Sequence, residues 1–255
     1  MPILKVTPRA DFNQFLGKDI GYHITNETGG NDYIDSEYVL EINEDEADFL
    51  DDATVEIYEM CLKAVDKVIR ENRFAEFGIG ELQASHIRKS WHRSDMGDGT
   101  SRDPELYGRI DFRWTGSTDK SELKFFEFNA DTPTTAYECS TVQWLIVKDL
   151  MERGQLPAGM SQFNSLEEKL IERFAYIREL AEKRKNGAGT LHLTAMSDYA
   201  EDATTVAYLE ELAQQAGWKT KYTDIGLIGA NDDKTSPDYG SLFDEDDQKI
   251  KTLPS

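Results

Sequence analysis

Cysteine is scarce in this chain: two among 255 residues, Cys61 and Cys139. A disulfide framework is therefore excluded as the basis of a fold this long, and both thiols fall in apolar helical patterns where burial is expected. No uninterrupted stretch of about 20 apolar residues exists to cross a membrane as a helix. Met1 is followed by Pro2 and scattered charges in place of a signal sequence, so a cytoplasmic protein is expected, with no membrane partner. Positive charge is short as well. The 28 lysines and arginines face 49 acids, leaving a formal charge of −21. Such a field repels nucleic acid and anionic lipid and attracts cationic ligands such as amines. Nor is there a glycine-rich phosphate loop of the P-loop or dinucleotide type, because Gly78, Gly80 and the pair Gly187 and Gly189 lack a strand-loop-helix setting.

What the chain does have is concentrated at Phe125 to Thr135, FFEFNADTPTT. Alternate side chains of a strand share a face, so Glu127 and Asn129 point one way and Phe126, Phe128 and Ala130 the other. Paired oxygen donors suit a hard cation such as magnesium. The Asn-Ala-Asp-Thr-Pro turn should end the strand near Asp131 and start a helix near Thr134, where anions are favoured. Upstream, Tyr107 to Trp114 (YGRIDFRW) alternates in the same way, with Arg109, Asp111 and Arg113 on one face. The turn formers at 115–121 join the two strands as an antiparallel hairpin over 108–129. A turn centred near Asp119 sets Asp111 opposite Glu127 and Arg109 opposite Asn129, a match that a one-residue slip would break. Two readings of these residues stay open: a metal or phosphate site, and a solvated sheet face with cross-strand ion pairs followed by a capped helix.

Around this segment the pattern is α+β. Asn43 with Glu46 forms a capping-box start for a helix to about Arg73. Further helices are expected over 134–153 and 165–185. Thr190 to Met196, Glu201 to Ala216 and Trp218 to Thr223 read as a small β-α-β module with parallel strands. The expected organisation is a body over 1–186, the α/β module over 187–230 and an acidic, mobile tail over 231–255. The basic side chains Arg88, Lys89, His92, Arg93, Arg102, Arg109 and Arg113 reverse the local charge before the hairpin, which fits an anionic ligand or pairing with the acidic N-terminal region. Tyr33 and Tyr38, amid acids, fit a lid on the core or an amine cage, and His23 fits the same two readings.

RIDF followed by FFEFNADTPTT, together with MCLKAVDKVI, RKSW, QFNSLEEKLIERF and LHLTAMSDYAEDATTVAYL, resembles the glutathionylspermidine synthase family of ATP-grasp-type carbon–nitrogen ligases, particularly bacterial members without an amidase domain. The resemblance covers most of the chain. It implies the substrate-binding portion of an enzyme that uses ATP and Mg2+ to join a peptide or amino-acid carboxylate to an amine through an acyl phosphate. By the same resemblance Asp111, Glu127 and Asn129 are metal ligands. Arg109 contacts the acid substrate and the developing charge, while Thr132 and Thr134 hold substrate where serines also occur. Glu201 and Asp202 match a substrate-binding acidic pair, although acids in a first helical turn are favoured by the dipole anyway. The chain ends LFDEDDQKIKTLPS, before the portion that in the family carries the lysines and glycine-rich loop for ATP. The expectation is a portion of a ligase inactive alone, or a noncatalytic binding protein keeping the fold. Its uncovered face is expected to self-associate or meet a partner chain.

Overall fold

A computed structural model describes residues 2–23, 33–92, 102–130, 133–183 and 189–250. They form mixed helices and small sheets, an α+β architecture. Two compact units interleave in sequence, Met1–Val55 with Gly108–Lys169 and Ala200–Tyr208, and Glu56–Tyr107 with Leu170–Tyr199 and Leu209–Ser255. They therefore do not coincide with the linear blocks 1–186 and 187–230.

In the first unit β1 (Ile3–Lys5) pairs antiparallel with β2 (Tyr38–Leu40). The short α1 (Phe12–Phe15) runs on as a π-helical turn over Leu16–Ile20. Phe15, Leu16, Ile20 and Tyr22 bury against Val142. Helix α2 (Glu44–Arg70) starts at the expected capping box: Asn43 N donates to Glu46 Oε2 at 3.0 Å, and Glu46 N donates to Asn43 Oδ1 at 2.9 Å. The hairpin joins β3 (Arg109–Arg113) to β4 (Lys124–Asn129). Beyond it a π-helical segment, Glu138–Val142, leads into α4 (Gln143–Glu152), which stops before Gly154 in the left-handed region at φ 69°. Ser140 Oγ donates to Tyr208 Oη at 2.8 Å, and Tyr208 Oη donates to Glu167 Oε2 at 3.1 Å, tying this helix into the unit.

The second unit takes the C-terminal part of α2, α3 (Glu81–Trp91) and most of α5 (Leu166–Glu182). Ile69, Phe74 and Ala84 form one small core. Arg88 lies over the Phe74 ring at 4.8 Å and donates to Glu81 at 2.9 Å. Arg102 lies over Trp91 at 5.5 Å and pairs with Glu105 at 3.0 Å. These two cations are thus engaged within their own unit; Arg93 falls outside the described residues. Strands β5 (Thr190–Leu193) and β6 (Lys219–Tyr222) are parallel, as the β-α-β reading requires, with α6 (Ala200–Gln215) between them in sequence.

Two expectations are corrected. The stretch beyond Ala230 holds structure: β7 (Gly229–Ala230), β8 (Leu242–Phe243) and β9 (Lys249–Ile250) form an antiparallel sheet. Its acids are used in folding. Lys221 Nζ binds Asp244 at 2.8 Å and Asp246 at 2.6 Å, and the Asp244 side chain is almost fully buried. Residues 251–255 lie outside the described set. Cys61 and Cys139 are free thiols, and they are half-buried where full burial was expected.

Candidate active site

The hairpin has the register expected from its sequence, with Arg109 opposite Asn129 and Asp111 opposite Glu127. Between Asp111 and Phe112 the register shifts, so that Phe112 faces Phe125 and Phe126 is left without a partner. This bulge lies beside the two carboxylates, where an extra residue bends a strand and re-aims its neighbours. Gly108 lets the strands approach. A Cβ there would stand 2.3 Å from Phe128 Cε2 and 3.2 Å from Asn129 O.

On this face Arg109 grips Asp111 with two bonds, Nε to Oδ1 at 2.8 Å and Nη2 to Oδ2 at 3.2 Å. Its third arm, Nη1, donates to Thr134 Oγ1 at 3.0 Å. Asn129 Nδ2 donates to Glu127 Oε1 at 3.0 Å. The guanidinium fork holds the Asp111 carboxyl below the usual range, its hydrogen bond outweighing the opposing effect of desolvation, and Asp111 in turn raises Arg109. Both side chains remain about a third exposed, at 34% and 32%, so solvent screens much of that attraction.

The connection to the next helix is strained. Thr135 has φ 71°, a left-handed conformation rare for a β-branched residue. It brings Thr134 to Arg109, and its carbonyl accepts from Cys139 N at 3.0 Å. Burial pushes the Cys139 thiol up, which disfavours its thiolate. Asp131 and Thr132 lie outside the described residues.

The structure thus brings together Arg109, Asp111, Glu127, Asn129 and Thr134. Glu201 and Asp202 lie in the first turn of α6. Glu201 lies within electrostatic reach of Tyr33. One functional candidate escaped the sequence reading: Glu138, 5% exposed, accepts from Tyr22 Oη at 2.7 Å through Oε1. The only signal for it was an acid inside the apolar run from Ala136 to Val147.

Three oxygen-bearing side chains, two carboxylates and an amide, form a donor set of the type hard cations take. Arg109 takes one acceptor position on each Asp111 oxygen, so a cation at Asp111 competes with the guanidinium for that carboxylate. Among the described residues no group of three or more His, Cys, Asp or Glu is placed to hold a metal, so Asn129 is an essential member of any such set.

The profile of the glutathionylspermidine synthase preATP-grasp family matches residues 4–254. A Haemophilus influenzae protein provisionally named acid–amine ligase is 31% identical over 241 residues, 94% of this chain and 55% of the relative. The bifunctional glutathionylspermidine synthetase/amidase of Escherichia coli is 30% identical over 171 residues, 66% of this chain and 24% of that protein, and its Shigella flexneri counterpart matches to the same extent. The chain therefore spans about half the length of the first of these relatives. With nearly every residue inside the family profile, the chain belongs to the glutathionylspermidine synthase preATP-grasp family.

Proposed function

We propose that this chain is the acid-recognising portion of an ATP-dependent ligase that joins a peptide or amino-acid carboxylate to an amine. The observation that carries the reading is the gathering of Arg109, Asp111, Glu127 and Asn129 on one hairpin, with Thr134 from the following connection bonded to Arg109. Family membership and the names of the relatives support the reaction class. In it, a carboxylate oxygen of the acid attacks the terminal phosphorus of ATP and ADP leaves. The amine nitrogen then attacks the acyl carbon, phosphate leaves and the nitrogen gives up a proton.

Arg109 is the catalytic group, a fork that can exchange Asp111 for the substrate carboxylate and face the charge of the acyl phosphate. Asp111, Glu127 and Asn129 would hold Mg2+, which neutralises phosphate charge when bound. Thr134 orients Arg109 through its hydroxyl. Thr132, Glu201 and Asp202 are assigned to substrate binding. The larger share of the ATP contacts is assigned to the part of such a ligase that the 255 residues do not span. Phe126, 66% exposed, and Phe125 beside it form the surface we assign to a further protein segment or partner chain. Free thiols at Cys61 and Cys139 suit the reducing cytoplasm.

The test supplies the full-length gene product with ATP, Mg2+, glutathione and spermidine, and follows ADP release and amide formation by mass spectrometry. Amide is expected, and Asp111→Asn should lower kcat by about 100-fold or more with an unchanged circular dichroism spectrum. Binding of the acid without ADP release would replace this reading with that of a noncatalytic binding protein.

A further inference from the structure

Glu138 has no role in the chemistry above, yet its surroundings call for a ligand. Oε1 accepts from Tyr22 Oη, while Oε2 is buried and has no hydrogen-bond partner among the described residues. An ionised carboxylate offers about four acceptor positions, and leaving it buried with one donor costs several kcal/mol. No lysine, arginine or histidine among the described residues is seen to pair with Glu138, whereas the buried Asp244 has Lys221.

The groups facing Glu138 sharpen the chemistry of the missing partner. Tyr22 is fully buried, its ring 6.3 Å from that of Tyr33 and 6.0 Å from that of Tyr137. Tyr33 feels the charge of both Glu138 and Glu201, the latter exposed. Burial and these acids push Tyr33 up to about 12. Rings and carboxylates together favour a positive charge of small radius. With two carboxylates and neither His nor Cys, the cluster is below what a divalent metal requires. Glu138 also opens a π-helical turn, an irregularity that recurs at functional sites, and its neighbour Cys139 lies within electrostatic reach of Arg109.

We propose that Glu138, with Tyr22, Tyr33 and Glu201, receives a primary ammonium group of a substrate. This rests on the ligase reading and deepens it. A nitrogen that attacks the acyl carbon must carry a free lone pair, so the cation held at Glu138 is a group that does not react. It belongs to a second amino group of the amine substrate or to the free amino terminus of the acid substrate, which share this chemistry. Tyr22 is a positioning residue that fixes the carboxylate, leaving Oε2 free.

The test is calorimetric titration of the purified chain at neutral pH and low salt with four probes: spermidine, propylamine, glutathione and N-acetylglutathione. Discrimination of spermidine over propylamine by about 10-fold or more assigns the site to the amine, and discrimination of glutathione over its acetylated form assigns it to the acid. Whichever preference appears should vanish in Glu138→Gln and weaken several-fold in Tyr33→Phe. If Glu138→Gln fails to fold, Glu138→Asp and Tyr33→Phe carry the test. Equal binding of both members of each pair, or a preference untouched by these variants, overturns the proposal and leaves a site filled by water. Hydroxylamine, a small neutral nucleophile, separates this failure from failure of the ligase reading. Hydroxamate formed by the full-length gene product from ATP and N-acetylglutathione, in wild type and Glu138→Gln alike, upholds the ligase whatever becomes of the ammonium site.

Discussion

Arg109 and Asp111 compete for one another with whatever cation the hairpin holds, and replacing the guanidinium measures that competition. Two bonds of 2.8 and 3.2 Å join the pair, but each side chain is about a third exposed, so the ion pair is worth about 1 kcal/mol. A divalent cation at Asp111 competes with those bonds. It also meets a residual repulsion from the displaced guanidinium, about 1.4 kcal/mol for charges of one and two at roughly 6 Å in a water-like dielectric. The sum is about 2 kcal/mol, which salt near 0.1 M reduces, leaving about a 10-fold effect. Arg109→Met should therefore tighten Mn2+ binding by about 10-fold, read from the free-ion paramagnetic resonance signal. Arg109→Lys keeps the charge without the fork and should fall between, while Asp111→Asn should abolish binding.

The same pair has a pH signature. The folded-state carboxyl of Asp111 is depressed, so its contribution to stability is present above the unfolded value near 4 and is lost as pH falls through the folded one. In Arg109→Met that acid limb should flatten. Mn2+ affinity equal to or weaker than wild type in Arg109→Met would refute the latch, as would loss of Mn2+ binding in both proteins, since the carboxylate pair would then hold no cation by itself.

Gly108→Ala places a Cβ against Phe128 Cε2 at 2.3 Å and should destabilise the protein by about 1–3 kcal/mol, seen in urea unfolding, with Mn2+ affinity falling as the strands separate beside Arg109 and Asn129. At alkaline pH, Tyr33 and Tyr208, each pushed up to about 12, and Tyr22, raised further by burial and Glu138, should stay protonated while the protein is folded. Their contribution is complete below the ordinary tyrosine value near 10 and is lost as pH rises through the folded values, so stability should fall from about pH 10 upward, with three tyrosines ionising only on unfolding when followed at 295 nm.

How much of this was legible in the sequence depended on the distance over which each interaction closes. The capping box of Asn43 and Glu46 spans three residues and was readable from identity alone. The hairpin register was readable because alternation and turn length constrain it together, and Arg109 falls opposite Asn129 for that reason. The bulge at Phe126 was not, since nothing in FFEF says which phenylalanine will be skipped. The acidic stretch after Ala230 looked mobile because its composition is that of a solvated segment; its order depends on Lys221, 23 residues before Asp244.

Glu138, which we assign to a substrate ammonium group, belongs to the part of the proposed site that was less legible. Its donor, Tyr22, lies 116 residues earlier, and Tyr33 and Glu201 come from two further segments. A reaction centre can be written on two neighbouring strands, because proton, metal and phosphate chemistry needs a few groups within one pleat repeat. Recognition of a long substrate has to reach across the fold, so its residues are scattered along the chain and appear as isolated oddities, such as one acid in an apolar helix. Arg109, Asp111 and Asn129 are therefore expected to govern turnover with any substrate pair, and Glu138 to govern which pair is accepted.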